Sequence, residues 1–264
     1  MNELIQLNPW QQLRQFTDAR IALGRTGASL PTEALLQFGL AHAQARDAVH
    51  QPLDVAPLQT ELDARSVPHL LVHSAAAHRD IYLRRPDLGR KLDERSATLL
   101  DEANAAPADV AIVIADGLSS TAISHHALPL LDVLLPAIAQ RGWTLAPITL
   151  ALQGRVAIGD DIGQRLNARC VVVLIGERPG LSSPDSLGIY LTWSPKVGCL
   201  DSERNCISNV RPAGLNYPQA SHKLCWLLEQ AFVRRLTGVA LKDESDEILL
   251  APATATIGEP ANSL

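Results

Sequence analysis

Three short segments in the second half of the chain combine glycine with charged or polar side chains in a way that suits ligand binding. They are Asp116–Ser119, Gly154–Val156 and Gly176–Gly180, and each follows an apolar run with the length of a strand. Ligands of open parallel α/β sheets bind in the crevice beyond the carboxyl ends of the strands. We therefore expect the three segments to lie at one edge of a sheet and to form a binding site.

The segment Gly176-Glu177-Arg178-Pro179-Gly180 carries the most chemistry. Its glycines permit unusual backbone angles and close approach of a ligand, and its proline stiffens the loop. Glu177 offers a carboxylate acceptor, and Arg178 offers a forked donor. A tight turn whose Glu and Arg pair with surface neighbours would use the same residues, so the loop alone is consistent with a structural and with a functional interpretation.

The common nucleotide and hydrolase fingerprints are absent from the sequence. No G-x-G-x-x-G follows the apolar run Val110–Ala115, and neither G-x-x-x-x-G-K-[ST] nor G-x-S-x-G occurs in the chain. The net charge of −5 gives no electrostatic footprint for nucleic acid. No apolar run reaches the ~20 residues that cross a bilayer. We therefore expect a cytoplasmic protein that binds neither nucleic acid nor membrane.

The histidines do not predict a metal site. His69 and His73 are four residues apart, so they could share one face of a helix as metal ligands, but no carboxylate or cysteine follows at ligand spacing. His125 and His126 are adjacent in a predicted helix, where neighbouring side chains diverge by about 100°. We expect one of these two to pack inside the protein and the other to meet solvent.

The four cysteines are widely spaced and include no C-x-x-C pair, which predicts neither a disulfide framework nor a zinc ribbon. Cys170 begins an apolar strand and Cys225 lies in an apolar helix, so both are expected in the core. Cys206 differs because it lies in the polar segment 201–209, which is predicted to be a loop. Its small, polarizable side chain could touch a ligand there.

The first hundred residues are predicted to be mainly helical. Asn8 can cap a helix that Pro9 opens, because proline fits the first helical turn. Further helices are predicted over Ala34–Ala48, Leu70–Ala77 and Ser96–Ala103. We assign residues 1–105 to a helical N-terminal region.

Beyond Pro107, apolar runs alternate with helical segments. Strands are predicted over Val110–Ala115, Leu145–Leu152, Cys170–Ile175 and Ile189–Trp193. Helices are predicted from Ser119 to Gly142, with a kink or restart at Pro129 and Pro136, and over Asp160–Ala168 and Tyr217–Leu236. This alternation predicts an α/β fold over residues 106–240, a Rossmann-like, open and mainly parallel sheet with flanking helices. Residues 241–264 are predicted to be a flexible tail.

Five segments together resemble one known family, the small (light) subunits of ethanolamine ammonia-lyase. They occur in the same order and at similar spacing as in that family, over roughly residues 9–237: Tyr82–Arg90, Asp116–Ser119, Gly154–Val156, Gly176–Gly180 and Cys206–Asn209. Five separate motifs make this resemblance far more specific than one loop would.

The resemblance implies that the chain holds the lower, nucleotide side of adenosylcobalamin against a larger TIM-barrel subunit, with six copies of each in the assembly. The family positions that touch the cofactor correspond to Val156, Glu177 and Cys206. The larger subunit would bind ethanolamine, and the cofactor would supply the radical chemistry that yields acetaldehyde and ammonia. No catalytic residue and no metal ligand is expected on this chain.

The resemblance also bears on location. Many members of the family begin with a longer segment thought to direct the enzyme into a bacterial microcompartment, whereas this chain starts almost at Asn8-Pro9. The cytoplasm is therefore the expected location, with a bacterial microcompartment as the less favoured alternative. Two other functions fit the residues alone: a self-sufficient Rossmann-like enzyme that uses another nucleotide, and a purely structural assembly subunit.

Overall fold

A computed structural model describes residues 5–103 and 105–246, and its centre is a six-stranded sheet. The strands are β1 His69–His73, β2 Ala108–Ala115, β3 Ile148–Leu152, β4 Ala168–Gly176, β5 Leu187–Trp193 and β6 Arg204–Val210. Their spatial order is β1-β3-β2-β4-β5-β6. The first four in this order pair in parallel, whereas β5 runs antiparallel to both β4 and β6. The predicted α/β class with flanking helices is confirmed, but the sheet is mixed, because both pairs that involve β5 are antiparallel.

Helices cover both faces of the sheet. They are α1 Thr32–His50, α2 Ala56–Ala64, α3 Arg79–Arg84, α4 Glu94–Glu102, α5 Ser120–Gln140, α6 Ile158–Arg165 and α7 Tyr217–Arg234. Side chains alternate across a strand. Val110, Ile112 and Ile114 of β2 therefore join the core formed with α5 and α7, and the residues between them join the core formed with α4 and α6. Burial on both faces explains why β2 and β4 are continuous apolar runs.

The helix α5 continues through Pro129 and Pro136 without the predicted restart. Its ends are as predicted, since Ser119 Oγ accepts a hydrogen bond from the Ala122 nitrogen at 3.2 Å and Gly142 closes the helix with φ +69°. By length and composition alone α5 could cross a membrane. In this protein it packs against the sheet and α7 as part of the main core.

Two segments differ from the sequence-based predictions. The predicted helix Leu70–Ala77 is wrong, because residues 69–73 form β1, which pairs with β3 at one edge of the sheet. The predicted polar loop 201–209 is also wrong, because it contains most of β6 at the other edge. Region 1–105 is therefore not wholly helical and supplies one strand of the sheet.

The N-terminal segment leaves much apolar surface exposed. After Asn8 it forms one 3-10 helix, Gln11–Phe16, and none of the side chains in that helix is buried. Of the seventeen exposed large apolar side chains in the described part of the chain, eleven lie between residues 5 and 40. They include Trp10, Phe16 and Leu36, which are 68%, 77% and 67% exposed.

The beginning of the predicted tail is packed rather than flexible. Lys223 Nζ on α7 lies 2.7 Å from an Asp246 carboxylate oxygen and 3.3 Å from one of Asp243. Leu241 and Ser245 are buried. Residues 247–264, to which the rest of that prediction applies, lie outside the described residues.

Candidate ligand-binding site

A pocket of about 590 Å³ lies at the carboxyl ends of β2, β3 and β4. All three predicted loops contribute to it, so the expectation that they meet at one edge of the sheet is confirmed. The lining residues are Tyr82, Arg90, Gly117, Leu118, Arg155, Val156, Ala157, Ile175, Gly176, Glu177, Arg178, Tyr190, Asp201 and Arg204. The pocket is therefore built from the strand-end loops, the segment after β1, and residues of β5 and β6 or close to them.

Close backbone packing joins the loops after β2 and β4. The Leu118 nitrogen donates to the Gly176 carbonyl oxygen at 2.9 Å, and Gly117 adopts φ +58°. A Cβ atom on Gly176 would overlap the carbonyl oxygen of Ser119. Because no side chain fits there, glycine at position 176 allows the two loops to form one wall of the pocket.

A buried carboxylate joins the loops after β2 and β3. Asp116 accepts hydrogen bonds from the backbone nitrogens of Gln153 at 3.0 Å and Gly154 at 2.9 Å. Burial raises the pKa of the Asp116 carboxyl, and the Arg79 guanidinium, 3.5 Å away, opposes that rise. The buried Asp116 carboxylate therefore holds the loops after β2 and β3 together, and it does not line the pocket.

Tyr82 lies between two guanidinium groups at the side of the pocket. The guanidinium carbons of Arg79 and Arg155 each lie 4.6 Å from the centre of its ring, within the range of cation–π attraction. The Tyr82 hydroxyl donates to the Gly154 carbonyl at 3.3 Å, and burial raises the pKa of Tyr82 to about 12. The Arg155 nitrogen also donates to the Gly89 carbonyl at 2.8 Å, so residues 82–89 are packed onto the loop after β3.

Glu177 lines the pocket and is half-buried. Its Oε2 atom accepts a hydrogen bond from the Ser186 hydroxyl and another from the Asn209 nitrogen at 3.2 Å. The Glu177 nitrogen in turn donates to the Ser186 carbonyl at 2.9 Å. The loop after β4 is therefore closed upon itself and attached to β6, with the carboxylate at the junction.

The three predicted contact residues are not equivalent in the structure. Val156 and Glu177 line the pocket, whereas Cys206 does not. Cys206 lies on β6 opposite Tyr190 in the sheet register, and its side chain is exposed. Tyr190 lines the pocket, and burial together with a hydrogen bond to Cys206 raises the pKa of its hydroxyl. Cys206 thus lies beside Tyr190 on the same face of the sheet, next to the pocket rather than in its lining.

Several lining residues received no role in the sequence analysis. Tyr82 and Arg90 lie in a motif that the family resemblance includes, but nothing in their spacing shows that the segment reaches the sheet edge. Arg204 is held in place by Asp160, with 2.7 Å between Nη2 and Oδ2 in a buried pair. Such a contact between distant segments leaves no signal in the local sequence pattern.

The lining of the pocket is rich in hydrogen-bond donors. Among the described residues the lining contains no histidine, serine, threonine or cysteine. It offers instead arginine and tyrosine donors, two carboxylates, and the apolar side chains of Leu118, Val156 and Ile175. Guanidinium groups suit phosphate and carbonyl acceptors. The fold and site define a mixed α/β protein with a pocket whose lining suits a polar ligand that carries anionic groups.

Comparison with known proteins identifies the family. The family model described as "Ethanolamine ammonia-lyase light chain (EutC)" matches residues 7–242. The chain is 60% identical over 242 residues to the ethanolamine ammonia-lyase small subunit of Azotobacter vinelandii, covering 90% of each chain. It is 56% identical over 258 residues to the small subunit of Xanthomonas campestris, covering 97% of this chain and 95% of that one. The chain belongs to the ethanolamine ammonia-lyase light-chain family, and it is a subunit of an ammonia-lyase.

Proposed function

We propose that this chain holds the nucleotide side of adenosylcobalamin in the pocket at the carboxyl ends of β2, β3 and β4, as the small subunit of an enzyme that acts on ethanolamine. The observation that carries the proposal is the lining, which has four arginines, two tyrosines and two carboxylates but, within the described residues, no histidine, serine, threonine or cysteine. A subunit with this lining binds a cofactor and leaves catalysis to another chain.

The donor set fits the proposed cofactor. The nucleotide side of cobalamin carries a phosphate and amide side chains, which accept hydrogen bonds from guanidinium groups. Within the described part of the chain, Nε of Arg155 is buried without a hydrogen-bond partner. Arg178 is exposed at the same pocket. The Arg178 guanidinium can therefore donate to a ligand directly, whereas Arg155 Nε would do so only after its side chain moves.

Each of the three predicted contact residues has a distinct proposed role. Val156 would supply an apolar contact, and the oriented carboxylate of Glu177 would accept hydrogen bonds from an amide. Cys206 would contact the cofactor next to Tyr190, beyond the rim of the pocket, since it does not line the pocket itself. The alternative of a self-sufficient enzyme using another nucleotide lacks both a fingerprint loop and a catalytic pair in this lining.

The chain's contribution to the reaction is binding and positioning. When bound, adenosylcobalamin supplies the radical that takes hydrogen from the substrate in the conversion of ethanolamine to acetaldehyde and ammonia. The loops after β2, β3 and β4 would orient the cofactor and exclude water from one side of it. No residue of this chain is assigned a catalytic role.

A larger TIM-barrel subunit is the proposed partner, with six copies of each chain and with ethanolamine bound mainly by that partner. The relatives' designation as small subunits implies a larger chain. The exposed apolar side chains between residues 5 and 40 offer the larger subunit a surface, because exposed apolar patches mark protein interfaces. We propose the bacterial cytoplasm as the location of the complex.

The proposal is tested by co-expression with the neighbouring large-subunit reading frame. The purified complex is expected to release ammonia from ethanolamine only when adenosylcobalamin is added, and this chain alone is expected to be inactive. In equilibrium dialysis, the complex is expected to bind adenosylcobalamin and to bind neither NAD nor ATP. Full activity of the isolated chain, or activity of the complex with no cofactor present, would refute the proposal.

A further inference from the structure

A second cluster of polar side chains lies outside the pocket, where α5 meets the loop between β4 and β5. His126 Nε2 lies 3.3 Å from Asp185 Oδ2, and His125 Nδ1 lies 3.6 Å from the same oxygen. All three of these atoms lie within 4.8 Å of one another. Two imidazoles and one carboxylate therefore surround a single point at the end of this loop.

The separations match those of ligands on one metal ion. Zinc binds nitrogen and oxygen at about 2.0–2.2 Å, so two ligand atoms of a tetrahedral zinc lie about 3.3–3.5 Å apart. The His126–Asp185 distance of 3.3 Å already has this value. Only His125 has to adjust, and its side chain is 59% exposed and free to do so.

Tyr217, the first residue of α7, orients the buried imidazole. Its hydroxyl oxygen lies 2.9 Å from His126 Nδ1, and the His126 side chain is only 6% exposed. When Nδ1–H donates to this oxygen, the lone pair of Nε2 is directed to the side where Asp185 lies. Histidines that bind metals commonly donate their second ring N–H to a fixed partner in this way.

We propose that His125, His126 and Asp185 bind one divalent transition-metal ion, with zinc as the best match. Imidazole nitrogen and carboxylate oxygen are both zinc ligands, and the exposure of His125 leaves the fourth position to water. None of the three residues lines the pocket, so the inference does not depend on the proposed function. It departs from the sequence-based expectation of no metal site, because Asp185 is 59 residues from His126 and no spacing pattern connects them.

The ion would fix the far end of the loop that carries Glu177. Asp185 is followed by Ser186, whose hydroxyl donates to Glu177, and it is preceded by Pro184, whose carbonyl accepts from Ser119 Oγ at 2.8 Å. A metal bridge from Asp185 to α5 would add a third anchor to this stretch. The proposed site is therefore structural, and none of its three ligands lines the pocket.

Metal titration of the full chain, alone and in complex with the larger subunit, tests the inference. After removal of metal with a chelator, isothermal titration is expected to show one equivalent of Zn²⁺ bound at micromolar concentration. Co²⁺ is expected to give the visible absorption of a four-coordinate ion without a thiolate charge-transfer band. That spectrum separates this site from binding to any of the cysteines.

Three variants that change the site and one control variant test the inference further. His125→Ala and Asp185→Asn are each expected to weaken Zn²⁺ binding at least tenfold, and Tyr217→Phe by about tenfold because it removes only the orienting contact. His42→Ala changes an exposed histidine on α1 and is expected to bind as the parent does. The inference is overturned if no Zn²⁺ binds at micromolar concentration, or if binding is unchanged in both His125→Ala and Asp185→Asn.

Discussion

The Oε2 atom of Glu177 lies 3.2 Å from the backbone nitrogen of Asn209, which ties the loop after β4 to the edge strand β6. The Ser186 hydroxyl donates to the same oxygen. One carboxylate oxygen is therefore fixed from two sides while the side chain remains half-buried in the pocket lining. A residue that orients a ligand requires this kind of support from its neighbours.

Replacement of Glu177 by alanine is expected to weaken the apparent affinity of the two-subunit complex for adenosylcobalamin about tenfold or more. Loss of a hydrogen bond to a charged group costs about 1.5–3 kcal/mol. Ammonia release measured against cofactor concentration gives the affinity. Glu229→Ala on α7, which breaks a surface pair with Arg141, serves as the control and is expected to leave the affinity unchanged. Unchanged affinity in Glu177→Ala would instead favour a purely structural subunit.

Gly176→Ala is expected to destabilise the protein by about 1–3 kcal/mol, the usual cost of forcing extra atoms into a packed region. The added methyl group would overlap the Ser119 carbonyl oxygen and push the loops after β2 and β4 apart. Urea unfolding measures the change. Gly39→Ala is the matched control, because Gly39 lies within α1 with open space around it, and it is expected to stabilise by about 0.5–1 kcal/mol. Equal stability of the two variants would contradict the packing argument.

Asp160→Asn is expected to lower the free energy of unfolding by about 3–5 kcal/mol, because it removes the buried carboxylate that contacts both Nη atoms of the Arg204 guanidinium. Both side chains of this pair are 2% exposed. Asp201→Asn changes the exposed carboxylate near the same guanidinium, 3.5 Å from Arg204 Nε, and because its side chain is 78% exposed it is expected to change stability by about 0.5 kcal/mol or less. Chemical denaturation of the three proteins distinguishes these outcomes, and a small effect of Asp160→Asn would mean that water reaches Arg204.

Acid is expected to remove a stabilising contribution of Asp109. Burial raises the pKa of this carboxyl, but hydrogen bonds from Thr144 and Arg169 outweigh burial and lower it overall. The native state therefore favours the ionised form, so the contribution is complete above the unfolded pKa of about 3.9 and is lost as the pH falls through the folded pKa.

Asp109→Asn should accordingly lose stability at neutral pH, by about 1–2 kcal/mol, and differ little from the parent once the pH is below the folded pKa of Asp109. Urea midpoints measured over a series of pH values test this. Asp47→Asn, at an exposed position on α1, is the control. A stability difference between Asp109→Asn and the parent that does not vary with pH would show that Asp109 acts through packing alone.

The central strands and the location of the pocket could be predicted from the sequence because both follow from local patterns. Strands β2 and β4 are continuous apolar runs, and the loops that follow them must lie at one edge of the sheet. Val156 and Glu177 lie in two of these loops, and both line the pocket as expected.

The edges of the sheet could not be predicted in the same way. The apolar part of β1 is too short to separate a strand from a helix by periodicity. Strand β6 buries only Arg204, Ile207 and Val210, so it lacks the alternation expected of a half-buried strand. For this reason the sequence places Cys206 in a loop rather than on a strand beside Tyr190.

Contacts between distant segments were also beyond the reach of the sequence pattern. The stacking of Tyr82 between Arg79 and Arg155 and the pairing of Arg204 with Asp160 depend on how the chain returns to the sheet. The difference in burial between His125 and His126 could be predicted from the sequence, because the helical period alone places one of two adjacent side chains inside the protein and the other in solvent. That prediction is confirmed.

The exposed apolar side chains between positions 5 and 40 affect the amount of this chain that a cell can keep in solution. Eleven large apolar side chains in water promote self-association of any copy that remains without a partner. Surplus copies are thus prone to aggregation and to degradation, which removes them from the soluble pool. Balanced synthesis of the two subunits would then matter as much as their affinity, and solubility itself would set the ratio in which they accumulate.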